Sequence, residues 1–275
     1  MIGERYELAR DVALRAGVLA LDYWRNRDRL TVELKGPQDF VSRADRDVEA
    51  LIRRDIAAAF PDDRLLGEET AATFTGPLDG CWIVDPIDGT HNFLRGVPYW
   101  NVAIAYVAQG RPRIGVVCDP VNGELYRAER GGGAWRDDAS GSAKLHVAAT
   151  SELAGAYVAL GHHDRAPDAR YLEIRRRMMA SGVSMRNFGS AALQLAHVAS
   201  GRFDGFVELQ LSIWDAIGAL LIVEEAGGYA APFAPATPTA KAACLACAPG
   251  IADALVKLTC IGNPVSEVDN PVSEV

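Results

Sequence analysis

Short apolar runs separated by turn residues fill the middle of the chain, and they constrain the fold more strongly than any other feature. Four of these runs have the length of a strand: CWIVD (81–85), NVAIAYV (101–107), RIGVVCD (113–119) and ELYRAER (124–130). Two of the segments between them, QGRP at 109–112 and PVNG at 120–123, contain residues that favour tight turns. Because runs joined by tight turns pair with their chain neighbours, this region predicts an antiparallel sheet of several strands.

Helical periodicity precedes this sheet region. Apolar residues from Tyr6 to Tyr23 recur at intervals of three or four and predict a long amphipathic first helix. A second helix is predicted from about Asp45 to Phe60, and Pro61 follows it directly. After the sheet region, three consecutive glycines at 131–133 and the polar stretch at 137–142 predict exposed loops near a boundary between lobes.

Strand and helix patterns alternate in the second half of the chain. The predicted strands are 157–160, 203–209 and 243–247. The predicted helices are 169–181, 190–200, 213–226 and 251–260. Such alternation favours a layered arrangement, so the predicted fold class is mixed α/β. We expect an N-terminal α+β lobe at 1–150, a C-terminal α/β lobe at 151–262, and a weakly ordered tail at 263–275, where NPVSEV occurs twice.

Composition and charge argue against several classes of function. Apolar residues make up 49% of the 275-residue chain, which is enough for a sizeable core. A formal net charge of −8 argues against general nucleic-acid binding. The N-terminus has no apolar export signal, and the most apolar stretch, 213–223, is too short to span a membrane.

The five cysteines are an odd number and lack the spacing of a disulfide framework. This pattern predicts reduced thiols and a cytoplasmic protein. Cys244 and Cys247 form a C-x-x-C pair, for which a redox or zinc role is the alternative. No second pair accompanies it, and the surrounding run AACLAC favours a buried strand.

Three acidic clusters lie at the edges of apolar elements. Glu68 and Glu69 follow a short apolar pair, Asp85 and Asp88 follow the run CWIV, and Asp215 opens an apolar helix. The Gly-Thr pair after the second cluster is a place where a helix can begin, and free backbone N–H groups there bind phosphate oxygens. Carboxylates beside such an anion would repel it unless cations lay between them. Oxygen ligands without His or Cys favour magnesium over zinc.

Each cluster also has an ordinary explanation when it is taken alone. The segment DPIDG at 85–89 would be a turn, Asp215 would be a helix cap, and Glu68 with Glu69 would be part of a solvated loop. The occurrence of all three clusters at the edges of apolar elements favours the metal interpretation.

At these residues the sequence resembles the inositol monophosphatase family, within the lithium-sensitive, metal-dependent phosphatase superfamily. The resemblance extends from about Ala9 to Leu258. The motifs that carry it are KGPQDFVSRAD (35–45), GEE (67–69), WIVDPIDGTHNF (82–93), GVVCDPVNGELYRAERGGGAW (115–135), GSAA (189–192) and WDAIGALLIVEEAGG (214–228). It implies a layered αβαβα sandwich of the inositol monophosphatase and fructose-1,6-bisphosphatase type, and a homodimer.

The resemblance also implies a site for two or three magnesium ions. Glu68, Asp85 and the Ile87 carbonyl would hold the first ion. Asp85 would bridge to a second ion completed by Asp88 and Asp215, and a third, weaker ion would lie near Glu68. Ions arranged in this way activate water on one side and stabilise the departing alkoxide on the other. Hydrolysis would then be a direct in-line attack without a phosphoenzyme.

The remaining roles implied by the resemblance concern the water and the substrate. Thr90, held by Asp45, would orient the attacking water and help to deprotonate it together with Glu68. The backbone amides of Gly89 and Thr90 would bind the phosphate. Glu208 would contact the hydroxyl groups of the substrate, and Ala191 would line its pocket. The implied substrate contacts are therefore Gly89, Thr90, Ala191 and Glu208.

Several phosphate esters are candidates for the substrate. The segment at 35–39 resembles the inositol phosphatase form of the family. Glu208 suits a polyhydroxyl substrate, because a carboxylate accepts hydrogen bonds from vicinal hydroxyls. Inositol 1-phosphate is therefore favoured, and histidinol phosphate or a range of sugar phosphates are the alternatives.

A binding role is an alternative of another class, because some bacterial relatives associate with transcription machinery. The three arginines at 175–177, with Arg186, are either a contact patch for such a partner or a solvated helix face, which we favour. An interaction module has no need of a complete set of metal ligands. The presence of that set favours the enzyme.

Three histidines have two interpretations each. His91 is either a group behind the metal ligands or a substrate contact, or else an ordinary residue on a helix surface. His162 and His163 follow the predicted strand at 157–160. They either face the substrate or form an exposed loop pair, which is the interpretation that we favour.

Overall fold

Helices and strands alternate along the chain in this computed structural model, which describes residues 1–29, 32–36, 39–162 and 169–262. The described residues form seven α-helices: α1 (Ile2–Arg25), α2 (Arg43–Ala59), α3 (Thr90–Arg95), α4 (Ala169–Ala180), α5 (Ala191–Ala199), α6 (Ile213–Glu225) and α7 (Ala252–Thr259). They also form fourteen strands: β1 (Val32–Gly36), β2 (Asp39–Ser42), β3 (Arg64–Gly67), β4 (Cys81–Asp88), β5 (Asn101–Ala108), β6 (Arg111–Asp119), β7 (Glu124–Glu129), β8 (Gly133–Asp138), β9 (Gly141–Lys144), β10 (Tyr157–Leu160), β11 (Ser184–Arg186), β12 (Gly205–Leu211), β13 (Tyr229–Ala230) and β14 (Ala242–Cys247).

The larger sheet contains seven strands in the order β3–β4–β5–β6–β7–β8–β9. β3 runs parallel to β4, and every other neighbouring pair in this sheet is antiparallel. The predicted antiparallel sheet is therefore confirmed. β4 differs from its prediction because it continues to Asp88, so Asp85 lies inside the strand and not at its end.

The exposed loops predicted at 131–133 and 137–142 are in part tight turns, at 131–132 and 139–140, but Asp137, Asp138, Gly141 and Ser142 belong to strands β8 and β9, so that part of the prediction was wrong. Glycines form the turn between β7 and β8, with positive φ at Gly131 and Gly133. Polar side chains hold the strands together: Arg127 Nε on β7 lies 2.7 Å from Asp137 Oδ2 on β8, and Arg127 also donates to Ser142 on β9. Such cross-strand pairs stabilise a sheet without the apolar alternation on which the prediction relied.

Helices α1 and α2 cover one face of the larger sheet. In β5, Val102, Ile104 and Tyr106 face these helices, and the alternate residues face the opposite side. Both predicted helices are confirmed. α2 begins two residues before its predicted start because Ser42 caps it, with the Ala44 N–H donating to the Ser42 hydroxyl at 3.1 Å.

The smaller sheet contains five strands in the order β11–β10–β12–β14–β13. Helices α5 and α6 lie between the two sheets and contact both, while α4 and α7 pack on the outer face of the smaller sheet. The layers are therefore helices, larger sheet, helices, smaller sheet and helices. This arrangement confirms the expected αβαβα sandwich.

The C-x-x-C pair lies in β14, and its two thiols point to opposite faces. Cys244 belongs to the core between the sheets, and Cys247 belongs to the core beneath α4 and α7. Thiols on opposite faces cannot share a zinc ion or a disulfide, so the buried-strand interpretation is confirmed. All five cysteines are free thiols.

Three other expectations concern the chain as a whole. Among the described residues, no helix has both the length and the apolar character that a membrane span requires. The division into lobes at residue 150 stays a prediction. The repeated tail at 263–275 lies outside the described residues.

Two glycines allow α6 to lie very close to the larger sheet. A Cβ atom added at Gly115 of β6 would lie 2.1 Å from the carbonyl oxygen of Gly218 in α6. A Cβ atom added at Gly218 would lie 3.1 Å from the Cβ of Ala105 in β5. The backbones of the helix and the sheet are therefore in direct contact. This contact places the first turn of α6, which carries Asp215, next to β4.

We expect Gly115→Ala to destabilise the protein. The added methyl group has no space, so α6 must move away from the sheet, and overpacking of this kind costs about 1–3 kcal/mol. Urea titration measures the loss as a change in the free energy of unfolding. Gly3→Ala is the control, because nothing lies within 4 Å of a Cβ atom added there. Equal stability of Gly115→Ala and the wild type would contradict the close contact.

Candidate metal and phosphate site

A bulge in β4 turns two aspartates toward the same side of the larger sheet. Asp85 pairs with Ala103 and Asp88 pairs with Asn101, so β4 contains one more residue than β5 between these pairs. Residues three apart on a regular strand face opposite sides. The extra residue brings Asp88 to the same side as Asp85, while Ile87 packs into the core beneath α1 and α2.

Asp215, in the first turn of α6, joins these two aspartates. Carboxylate oxygens of Asp85, Asp88 and Asp215 lie within 4.8 Å of one another. Asp85 is 2% exposed and Asp88 is 7% exposed. Burial, with repulsion from Glu68 and the neighbouring aspartates, raises the pKa of Asp85 well above its ordinary value, and burial with repulsion from Asp88 raises the pKa of Asp215. Carboxylates so close and so buried repel one another strongly unless a cation lies among them.

Glu68 lies beside this group of three aspartates. β3 runs parallel to β4, and the Glu68 N–H donates to the Val84 carbonyl at 3.1 Å. The Glu68 carboxylate is therefore delivered close to Asp85, whose pKa it raises by repulsion. Three of the four predicted acidic ligands thus meet, from β4 and α6, while the role of Glu68, which directly follows β3, stays a prediction. Their donor atoms are all oxygen, which fits magnesium better than zinc.

Asp88 also connects the larger sheet to α5. Its Oδ2 accepts hydrogen bonds from the Asn101 side chain (2.7 Å), the Ser190 hydroxyl (2.8 Å) and the Ala192 N–H (2.8 Å). Its Oδ1 accepts one from the Ala191 N–H at 3.2 Å. The two amides belong to the first turn of α5, whose positive end favours a carboxylate. Burial raises the pKa of Asp88, and these hydrogen bonds offset part of that rise.

Asn101 and Ser190 were not among the predicted site residues. Asn101 is the one polar residue in its apolar run, and Ser190 stands at the start of a predicted helix. These weak signals say nothing about Asp88, which lies 13 residues from Asn101 and 102 residues from Ser190. Pairing of β4 with β5 brings Asn101 to Asp88, and the packing of α5 on the sheet adds Ser190.

Gly89 and Thr90 lie at the start of α3. The φ of Gly89 is +94°, in the left-handed region that favours glycine. The Thr90 hydroxyl donates to the Ile87 carbonyl at 3.1 Å. Asp45 is buried at the start of α2, where it accepts hydrogen bonds from the N–H (2.8 Å) and the hydroxyl (2.7 Å) of Ser42. The pairing of Asp45 with Thr90 stays a prediction.

A cavity of about 300 Å³ opens beside Asp88 and Asp215. Glu208 lines it from β12 and lies so close to Gly161 that a Cβ atom there would be 2.0 Å from Glu208 Oε2. Burial, with repulsion from the two aspartates, raises the pKa of Glu208 to about 8. Further residues that line the cavity are His91, His162, Asn187, Ala191, Gln210 and Lys241.

The three histidines differ in position. His162 is half-buried, lines the cavity and stacks on Tyr171 with ring centres 4.2 Å apart. Its interpretation as part of an exposed loop pair was therefore wrong, because the chain after β10 enters the cavity wall. His91 is exposed on α3 and also lines the cavity. His163 lies outside the described residues.

Comparison with known proteins identifies the family of this chain. The model of the inositol monophosphatase family matches residues 2–260. The chain belongs to the inositol monophosphatase family. The family is metal-dependent, which agrees with the cluster formed by the three aspartates.

Relatives in the family have names of two kinds. An inositol-1-monophosphatase from Rhizobium meliloti (strain 1021) is 45% identical over 204 residues, which cover 73% of this chain and 74% of the relative. The Nus factor SuhB of Haemophilus influenzae is 36% identical over 230 residues, which cover 81% of this chain and 84% of the relative. The crystal structure of the extragenic suppressor protein suhB from Bartonella henselae superposes with a TM-score of 0.82 at 35% identity, over 94% of this chain and 98% of that chain.

We expect the metal-free protein to lose stability as the pH rises from about 6.5 toward 8, above the range in which the lowered pKa of the buried His197 acts in the opposite direction. Below its unfolded pKa, which is about 4, a carboxyl group whose pKa is raised by folding does not lower the free energy of unfolding. Above that pH the free energy of unfolding decreases until the pH reaches the folded pKa, which for Glu208 is about 8. The melting temperature in EDTA should therefore fall between about pH 6.5 and about pH 8. Added magnesium should raise it more at pH 8 than at pH 5, where protons compete for the same carboxylates. A melting temperature in EDTA that stays constant or rises would contradict the raised pKa values.

Proposed function

We propose that this protein is a magnesium-dependent phosphatase that hydrolyses a small phosphate monoester, with inositol 1-phosphate as the favoured substrate. The observation that carries the proposal is the meeting of three aspartates within 4.8 Å, beside Glu68 and the start of α3. Filled with cations, such a cluster attracts a phosphate instead of repelling it. The residues that would hold two or three magnesium ions are Glu68, Asp85, Ile87 (by its carbonyl), Asp88 and Asp215.

In this proposal the groups of the chain bind and orient the reactants. The N–H groups of Gly89 and Thr90 would hold the phosphate. Thr90, held by Asp45, would orient a water molecule in line with the ester bond, and Glu68 would take its proton. A bond forms between the water oxygen and phosphorus while the bond from phosphorus to the alcohol oxygen breaks, so no phosphoenzyme is required. When bound, magnesium supplies Lewis acidity to the water and to the leaving oxygen.

The cavity supports a polyol as the alcohol part of the ester. Glu208, Gln210 and Asn187 line it and offer hydrogen-bonding groups to hydroxyls, and Ala191 lines it as well. Its volume of about 300 Å³ is at the lower end of the range for small-molecule sites, which suits a ligand of the size of inositol phosphate. Histidinol phosphate and a range of sugar phosphates are the alternative substrates. A homodimer and a cytoplasmic location belong to this proposal through the family resemblance alone.

A binding role in transcription is the second candidate, because several relatives are named Nus factor SuhB. Its candidate contact patch consists of the three arginines at 175–177 on α4 and Arg186 at the end of β11. On α4, Arg176 and Arg177 donate to Glu173 at 2.7 and 2.8 Å. Pairs of this kind along one helix are typical of a solvated face. The patch therefore lends this role little support, and the phosphatase is preferred.

We expect the purified protein to release phosphate from inositol 1-phosphate in the presence of magnesium. The rate should exceed the rates with histidinol phosphate and fructose 1,6-bisphosphate, because the segment at 35–39 resembles the inositol phosphatase form of the family. EDTA should abolish release, and a separate arm with lithium tests the sensitivity that the resemblance implies. If none of the three esters is hydrolysed, the binding role becomes the better explanation.

We expect Asp215→Asn to lower kcat by more than about 100-fold, because loss of a metal ligand exceeds the effect of removing the groups behind it, which is about 10–100-fold. Circular dichroism should show that the variant is folded. Asp253→Asn is the matched control, because Asp253 is exposed on the outer helix α7. Unchanged turnover of Asp215→Asn would remove this residue from the metal site.

A further inference from the structure

Glu49 on α2 is a buried carboxylate outside the cluster of aspartates, and it contacts the loop that carries Glu68. Only 2% of Glu49 is exposed. Its Oε2 accepts a hydrogen bond from the backbone N–H of Glu69 at 2.8 Å, and its Oε1 accepts one from the Thr70 hydroxyl at 2.7 Å. The carboxylate therefore binds the two residues that directly follow Glu68.

Gly67, the residue before Glu68, fits closely against the same carboxylate. A Cβ atom added at Gly67 would lie 2.3 Å from both Cδ and Oε2 of Glu49. The φ of Gly67 lies outside the left-handed region, so its backbone conformation is open to other residues. The space taken by the Glu49 carboxylate is what requires glycine at this position.

Arg53, one turn further along α2, completes the environment of Glu49. Its Nη2 lies 3.1 Å from Glu49 Oε1 and 2.6 Å from Thr70 Oγ1. A buried carboxylate is costly unless it is paired and hydrogen-bonded, and Glu49 has both kinds of partner. Well-packed apolar residues are often as stable as a buried ion pair. Stability alone therefore does not account for a carboxylate at this position.

We propose that Glu49 is a positioning residue that fixes the Glu68 carboxylate at the metal site. Two contacts hold the backbone around Glu68: its own N–H donates to Val84 of β4 at 3.1 Å, and the next N–H along the chain is bound by Glu49. With the peptide units on both sides held, the side chain leaves the loop in one direction, toward Asp85. This inference rests on the proposed function, because it takes Glu68 to be a metal ligand.

Titration of the metal-free protein with Mn²⁺, followed by electron paramagnetic resonance, measures metal binding without substrate. We expect Glu49→Gln to weaken Mn²⁺ binding by about 10–100-fold, the range for groups that orient metal ligands. Glutamine keeps the volume, but its single oxygen can accept from only one of the two donors, the Glu69 N–H and the Thr70 hydroxyl, while its NH₂ group faces the other donor and Arg53 is left without a carboxylate partner.

Gly67→Ala tests the same contact from the other side. Its methyl group must displace the carboxylate, so we expect Mn²⁺ binding to weaken to a similar extent. In a Glu49→Ala background the methyl group has space, and the same substitution should have no further effect on Mn²⁺ binding. Thr70→Val removes one hydrogen bond to Glu49 and should weaken binding several-fold, which keeps the test informative if Glu49→Gln fails to fold.

Asp55→Asn is the matched control, because Asp55 is a largely buried carboxylate on the same helix that pairs with Arg15 of α1 at 2.7 Å. It should lower the melting temperature in EDTA and leave the Kd for Mn²⁺ unchanged. If Glu49→Gln and Gly67→Ala also lower the melting temperature but leave the Kd for Mn²⁺ unchanged, while the wild type binds Mn²⁺ normally, the role of Glu49 is purely structural. That result would overturn this inference and leave the proposed function standing. Failure of the wild type to bind Mn²⁺ would overturn the proposed function, and the inference with it.

Discussion

Hydrogen bonds to the Asp88 carboxylate join the larger sheet to the central layer of helices. Asp88 belongs to β4, whereas the Ser190 hydroxyl and two of the amides that bind it belong to the start of α5. A buried carboxylate that loses its partners is strongly destabilising, so movement of α5 away from the sheet is opposed at this point. The interaction that aligns the layers therefore also places Asp88 in the candidate metal site.

The helices around this point act on the charge of the site in different ways. The first turn of α5 offers N–H groups to Asp88, and the first turn of α6 brings Asp215 to the same place. The positive ends of helices stabilise carboxylates only in part, and burial together with repulsion from the neighbouring carboxylates raises the pKa of Asp85. The remaining negative charge is what a divalent cation would neutralise. The fold therefore brings the carboxylates together without enough positive charge from the protein to neutralise them.

Local patterns in the sequence predicted most of the fold and the positions of the acidic residues. Helical periodicity was sufficient for α1, and apolar runs of the right length were sufficient for α6 and for β4 to β7, because these elements are largely buried. Such patterns failed for β8 and β9, where the ion pair between Arg127 and Asp137 replaces apolar alternation.

The supporting groups of the site were not predictable in this way. Asn101, Ser190 and Glu49 are single polar residues whose partners lie 13, 102 and 20 residues away along the chain. No local pattern records such contacts, since they arise only when distant strands pair or the layers pack. Glu49 illustrates the difficulty, because on a helix a lone glutamate is usually solvated.

The contact between Gly115 and Gly218 fixes both the position of α6 along the larger sheet and its rotation about its own axis. Gly218 follows Asp215 by three residues, and successive residues of an α-helix are rotated by about 100°. If one residue were inserted or deleted between Asp215 and Gly218, the two could no longer both keep their places. Either Asp215 would point away from Asp85 and Asp88, or a residue with a side chain would replace Gly218 against β6. Translation of the helix along the sheet meets the same obstacle, since its other residues carry side chains that the 2.1 Å approach excludes. The number of residues between the two positions is thus as constrained as their identity.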